Sequence, residues 1–424
     1  MAIRGYDEDQ ITDLISRHFT PSKEISSVEK LKGRESELLT IRRALPSQGR
    51  HVFIFGDRGV GKTSLAVTSA FLHNDSSSLP IYVLCGEGMT FFEVIQAIAN
   101  ATVPLDERIK NQKQSGALNL KLPDALGGFG VGGKFSNESA TELPRPGNIN
   151  EALDVLRYVA SKRTGRTVII IDEFDRIRDK TQKNLFAEFI KNVPTLSDDV
   201  KLIMCGIGQN VDDILGAHPS AGRYFEPVPV QKLHHDDLWS IITDAADEAG
   251  IKIPELMLRR IGIVSDQFPH FVHLLGDCLF WAIFDDPEEV TTAKPEHYRT
   301  ALKGALKKTE RDLALAYQKA TEKSKNKQDY EEALWAIADT SETRRQLKQI
   351  HSGSYLPLKD RLQNGKPLTR EQLNQRLHNL RDERHGEVLI NHKSGWFSFR
   401  ENVFRGYVRL VAEDRGVQLK IEPV

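Results

Sequence analysis

The sequence predicts an α/β protein: a parallel sheet covered by helices on both faces, then a helical region, then a small helix-and-hairpin module. Three observations predict it. Short buried apolar runs alternate with amphipathic helices between residue 51 and about residue 205. The sheet signal stops at His234, after which helices dominate. The last hundred residues close with helices followed by two short strands around a glycine turn.

At 424 residues the chain exceeds one typical domain, so two or three are expected. An apolar content of 39% suits globules that each bury a core. The formal charge of -1 argues against wholesale coating of nucleic acid but not against a local basic face. Cys85, Cys205 and Cys278 lack metal-ligand spacing and read as buried thiols of a reducing compartment. The opening MAIRGYDEDQ is polar and acidic, with no secretory signal in it. Residues 268–284, the most apolar stretch, are interrupted by His270, His273 and Asp277, and read as a buried helix rather than a membrane span. The expectation is a soluble, cytoplasmic chain that contacts no membrane.

Residues 9–19 form an amphipathic helix, and a second helix runs from about 35 to 45 behind Gly33-Arg34-Glu35. His51 to Phe55 is a compact apolar run ending in glycine, as a buried parallel strand requires. Then come a helix from Lys62, a strand at 81–85, a helix at 90–100, a strand at 167–171, a helix at 182–192 and a strand at 201–205. Between residues 104 and 146 the pattern fails. The cluster Gly127-Gly128-Phe129-Gly130-Val131-Gly132-Gly133 has no buried strand before it and no helix after, so it reads as an inserted hairpin or loop.

The chemistry centres on two motifs. Gly56-Asp57-Arg58-Gly59-Val60-Gly61-Lys62-Thr63 matches G-x-x-x-x-G-K-[ST] in full, between a strand and a helix. Its glycines let backbone N–H groups wrap phosphate oxygens, and the helix that carries Ser64 adds its positive dipole end. Lys62 is expected on the β/γ-phosphates and Thr63 on Mg²⁺, which makes ATP the expected ligand. The second motif is Val168-Ile169-Ile170-Ile171-Asp172-Glu173. A buried strand ending in two acids sets both carboxylates at the sheet's C-terminal edge. Asp172 is expected in the Mg²⁺ shell, with Glu173 as the base that orients and deprotonates water.

With these residues and three later features, the chain resembles AAA+ ATPases of the branch that holds the origin-recognition initiators and the STAND signalling ATPases. The later features are residues 204–210, the run His218-Pro219-Ser220-Ala221-Gly222-Arg223, and the run from Phe268 to Gly276. The resemblance spans about residues 30–285 and implies an added strand between the two motifs, a helical lid and nucleotide hydrolysis. It also implies a polar residue past the fourth strand that positions water; Gln209 is nearest and Asn210 next, either equally an N-cap. Arg223 falls where these families place an arginine that reaches a neighbouring subunit's phosphate, or else it is a surface arginine. Pro269 matches a lid proline that touches the adenine. The next position is commonly arginine in those families and is His270 here, which puts a lid contact to the γ-phosphate in doubt. His234 and His235 have no ligand-spaced partners and take no role.

Residues 236–249, 254–264 and 269–284 read as helices, followed by one long charged helix over 295–325. A helix at 329–340 turns Tyr330, Ala333, Leu334, Ile337 and Ala338 to one side, and a second helical stretch covers 344–350. Thr369 caps a third helix with Leu373, Leu377 and Leu380 at core spacing. Residues 387–390 and 396–400 then pair around Lys393-Ser394-Gly395, so the module reads as a winged helix-turn-helix. In the initiator relatives that module binds DNA, which implies contacts through Arg370, Gln375, Arg376, Asn379 and Lys393. Residues 325–424 hold 18 Lys/Arg against 14 Asp/Glu, a mild excess of +4 (18 minus 14). A winged helix that contacts protein, or locks the ATPase, stays open beside the DNA reading.

The expected organisation is an N-terminal helix and connector (1–29), a P-loop ATPase core (30–232, with a flexible insertion at 104–147), a helical lid (233–290), a linker helix (291–326) and a winged helix (327–424). The expected protein is a nucleotide-dependent switch that turns ATP and water into ADP and phosphate. It associates with DNA and forms a homo-oligomer or holds a protein partner; alternatively it is a STAND-like regulator of a protein partner in host defence.

Overall fold

The computed structural model describes residues 3, 5–20, 27–28, 30–74, 79–103, 143–163, 165–195, 199–208, 221–322, 326–392 and 395–420. The chain builds two compact bodies, and its first helix, α1 (Glu8–His18), belongs to the second of them. One comprises Glu24–Gly56 with Lys62–Gln231; the other comprises Met1–Lys23, Asp57–Gly61 and Lys232–Val424.

The first body is a helix-flanked parallel sheet. In chain order it holds α2 (Glu35–Ala44), β1 (His51–Phe55), α3 (Lys62–His73), β2 (Ile81–Leu84), α4 (Phe91–Thr102), α5 (Ile149–Lys162), β3 (Thr167–Asp172), α6 (Lys180–Asn192), β4 (Val200–Gly206) and β5 (Phe225–Pro229). The five strands are parallel, in the order β2-β3-β4-β1-β5. Every residue of β1, β3 and β4 is buried, which demands cover on both faces and explains why their interiors are apolar, with polar residues only near their ends. Edge strand β2 alternates instead: Ile81 and Val83 point inward, Tyr82 and Leu84 outward.

Four strands are legible in the sequence; β5 is a fifth. Its Pro227 and Pro229 argue against a central strand, and β5 lies at the edge, hydrogen-bonded to β1 alone, where missing N–H groups are tolerated. On one face of the sheet a phenylalanine cluster fills the core: Phe91 meets Phe186 at 4.8 Å and Phe189 at 5.2 Å, and Phe174 meets Phe186 at 4.8 Å, all edge-on. Because β1 and β3 both run parallel to β4, which lies between them, the C-terminal ends of β1 and β3 lie at the same edge of the sheet.

The second body is mostly helical: α7 (His235–Ala249), α8 (Glu255–Val264), α9 (Pro269–Phe284), α10 (Pro295–Lys308), α11 (Arg311–Thr321), α12 (Lys327–Ala338), β6 (Arg344–Gln346), α13 (Leu356–Leu362), α14 (Arg370–Asn379), β7 (Leu389–His392), β8 (Trp396–Phe399) and α15 (Asn402–Asp414). Helix α9 is buried on nearly every side, with Pro269 suiting its first turn. Among the described residues no helix is long and apolar enough to cross a membrane.

Two expectations are corrected. The single helix over 295–325 is two, α10 and α11, because Thr309 and Glu310 turn extended, with ψ of 151° and 128°. The helical stretch over 344–350 begins as strand β6, which pairs antiparallel with β8 and is followed by a π-helical turn, Gln349–Tyr355. Arg345 explains the difference. Its buried guanidinium donates to the Ala336 carbonyl at 2.6 Å and the Ser354 hydroxyl at 2.9 Å, contacts that local propensity does not encode. The β7–β8 hairpin forms, giving a three-stranded sheet β6-β8-β7, and Thr369 caps α14 with Gln372 completing the box.

Candidate functional site

The loop between β1 and α3 holds the glycines where the backbone needs them. Gly59 and Gly61 sit at φ of 81° and 96°, a region costly to residues with a Cβ. Lys62 opens α3, and its ammonium donates to the Gly56 carbonyl at 3.2 Å. Val60 is buried, while Asp57, Arg58 and Ser64 remain partly accessible. The tip, Asp57–Gly61, belongs to the second body, and Gly56 and Lys62 to the first.

Asp172 ends β3 almost fully buried, and its oxygens are individually engaged. Oδ2 accepts from the Thr63 hydroxyl at 2.7 Å and the Tyr82 hydroxyl at 3.0 Å; Oδ1 accepts from the Glu173 backbone N–H at 2.7 Å. A hydroxyl and a carboxylate oxygen in contact form a hard donor pair of the kind that Mg²⁺ takes beside phosphate. The residues present therefore fit the expected ion. Glu173 stands in the left-handed region at φ 52°, a strained position for a side-chain residue, which turns it out of the strand line. Its carboxylate pairs with the Arg176 guanidinium at 2.6 Å, both groups about half exposed. Burial pushes the Cys85 thiol up to about 12, with the Asp172 charge adding to the effect, and raises Cys205 as well, so neither supplies a thiolate near neutral pH.

The structure thus brings Lys62, Thr63, Asp172 and Glu173 to the edge at which β1 and β3 end. Arg223 is exposed on the short turn Ala221–Tyr224 ahead of β5. Pro269 is the first residue of α9, and His270 follows it. Gln209, Asn210, Lys393 and the glycine cluster at 127–133 lie outside the described residues. Candidate ligand atoms of His234, His235 and Asp236, three consecutive exposed residues at the start of α7, lie within 4.8 Å of one another.

Sequence reasoning missed Tyr82 and Arg176. Tyr82 is visible as an outward position of an alternating strand, but its reach to Asp172 depends on the β2–β3 register, in which Tyr82 stands opposite Ile170. On α14 the expected outward set divides. Arg370 and Gln375 are exposed, whereas Arg376 pairs with Asp329 at 3.0 Å over the Tyr330 ring, and Asn379 donates to the Tyr330 hydroxyl at 2.7 Å. The outward-face expectation for Arg376 and Asn379 is corrected accordingly: both are turned into their own module.

Sheet order, phosphate loop and strand-borne acids together are the α/β fold of the P-loop AAA+ ATPases. Residues 30–203 match the family model described as AAA ATPase domain. A Walker-type ATPase of Pyrococcus abyssi is similar in structure, at 17% identity and TM-score 0.53, over 92% of this chain and 99% of that one. The Cdc6p protein of Pyrobaculum aerophilum follows at 15% identity and TM-score 0.45, over 95% of this chain and 99% of that one. The ORC1 protein of Aeropyrum pernix, solved in complex with DNA, shows 14% identity and TM-score 0.44, over 91% and 93%. Identities this low speak to fold alone. Among curated proteins none matches the sequence.

Proposed function

We propose that this chain binds ATP with Mg²⁺ and hydrolyses it, using the nucleotide as a switch. The observation that supports it is the contact of Thr63 with Asp172 at 2.7 Å beside Lys62, a hard oxygen donor pair and an ammonium at one sheet edge, as a Mg²⁺-nucleotide site would require. Lys62 would neutralise charge on the transferring phosphate, Thr63 and Asp172 would hold the Mg²⁺ shell, and Glu173 would take the proton of the attacking water. Mg²⁺, when bound, would offset the charge that builds on the phosphate oxygens. Gln209 is the proposed water-positioning group, Arg223 the arginine offered to a neighbouring copy and Pro269 the adenine contact. The test is a pair of variants. Lys62→Ala is expected to lose ATP binding in an equilibrium titration; Glu173→Gln is expected to keep binding and lose turnover by orders of magnitude. Wild-type turnover in Glu173→Gln would end the base assignment.

For the C-terminal module we propose a winged helix associated with DNA in the cytoplasm, with ATP driving assembly. The antiparallel sheet β6-β8-β7 beside α12, α13 and α14 supports that form, and exposed Arg370 and Gln375 support the contact. A specific observation favours the second reading, a regulatory ATPase acting on a protein partner. On α14 Arg376 is paired with Asp329 and Asn379 bonds the Tyr330 hydroxyl, so of the expected contact residues among those described only Arg370 and Gln375 face outward. Filter binding to duplex DNA at low and high salt, with and without ATP, separates the two. No retention in any condition leaves the partner reading.

A further inference from the structure

The phosphate-loop tip, Asp57–Gly61, is held by side chains of its own body that neither the motif nor the family match assigns. The Arg58 guanidinium, inside the motif, reaches Glu310 between α10 and α11 at 2.7 Å and Glu401 at the start of α15 at 3.4 Å. Asn402 donates from Nδ2 to the Asp57 carboxylate at 2.8 Å. A Cβ on Gly59 would stand 3.5 Å from both the Phe268 ring and a Val403 methyl, so the tip is in van der Waals reach of α15's first turn. Helix α15 is itself firmly seated. Arg405 and Arg409 are buried against Asp266, and a Cβ on Gly406 would fall 2.5 Å from the Phe271 ring.

We propose that Glu310, Glu401 and Asn402 are positioning residues that form a latch on Arg58 and Asp57, competing with the nucleotide polyphosphate for the loop. The electrostatic reason is direct. Arg58 is a guanidinium in a phosphate-binding loop, and the carboxylates that now hold it repel the phosphates it would otherwise attract. Polyphosphate binding and the carboxylate pairs draw on the same guanidinium, so each weakens the other. By linkage, ATP loosens the start of α15, and the module behind α15 sets how tightly the loop takes ATP. This rests on the nucleotide-binding reading above and adds its control.

The test titrates full-length protein with a fluorescent ATP analogue and Mg²⁺, and measures the analogue's release by stopped flow. Glu310→Gln with Glu401→Gln is expected to tighten binding roughly two- to fivefold and to slow release, the range expected of exposed ion pairs. Asn402→Ala is expected to shift in the same direction by less. In an Arg58→Ala background the glutamine pair should change nothing, because the latch acts through that guanidinium. Hydrogen exchange across residues 402–414 should quicken when wild type binds the analogue. Unchanged affinity in the glutamine pair overturns the latch, and so does a gain that persists in Arg58→Ala, which would show plain charge repulsion. Wild type binding no better than Lys62→Ala overturns the nucleotide reading and the latch with it.

Discussion

Asp266 carries the most demanding electrostatic load in the second body. It lies just ahead of α9, 2% exposed, and accepts from Arg405 through both oxygens, at 2.6 and 2.8 Å, and from Lys232 at 2.7 Å. Arg409, 1% exposed, stands 3.6 Å away. One carboxylate thus faces three cations, and backbone carbonyls supply further acceptors: Ser341 and Glu342 for Arg405, Ile263 and Thr340 for Arg409. The Arg405 and Arg409 charges beside it hold the Asp266 carboxyl down at about 2, against the opposing pull of burial.

Asp266→Asn removes that charge while keeping the shape. Asparagine also tolerates the left-handed backbone, φ 51°, so strain is not the variable. Lys232, already pushed down to about 8 by burial, can shed its proton; the arginines cannot. Two buried guanidiniums then lack an anion, and breaking a buried pair from one side costs about 3–5 kcal/mol. A domain has only about 5–15 kcal/mol in total. Urea unfolding at neutral pH, followed by circular dichroism, is expected to show the second body's midpoint falling by roughly 1–2 M. Adding Arg405→Met and Arg409→Leu should recover part of the loss. A loss under about 1 kcal/mol in Asp266→Asn refutes the claim that this carboxylate compensates the cluster.

Two further predictions follow from the site and the core. Tyr82→Phe removes one donor to Asp172 at a half-exposed position, so the fold should hold while the Mg²⁺ needed for half-maximal turnover rises roughly two- to tenfold; an unmoved Mg²⁺ midpoint rejects the contact's role. His51, in the first body, is pushed down to about 3 by burial and then Lys201, and His273, in the second, to about 4 by burial and then His270. Both folded values are depressed below the unfolded 6.5, so their stability contribution is complete above that pH and is lost as pH falls toward 4. Each should remove about 1.4 kcal/mol per pH unit, or about 2 kcal/mol between pH 6.5 and 5, read as lower urea midpoints for both bodies; constant midpoints over that window reject the buried neutral histidines.

The sequence by itself determined the parts whose cause is local. Buried runs such as 51–55 and 167–172 show as strands because their interior positions are apolar without a break, and Gly59, Gly61, Lys62 and Asp172 read as a candidate nucleotide site because each expected role demands one residue type at one spacing. Tertiary structure decided the rest. The break at Thr309–Glu310 involves neither glycine nor proline, so nothing local marks it, yet it sets Glu310 against Arg58. Strand β6 exists through pairing with β8, some fifty residues on, and through Arg345's buried bonds. Arg376 and Asn379 read outward on α14's wheel, but Asp329 and Tyr330 on α12 claim them. For β6, Arg376 and Asn379 the deciding partners lie some fifty residues along the chain, and pairings and charges made at such distance leave no periodicity for a sequence to display.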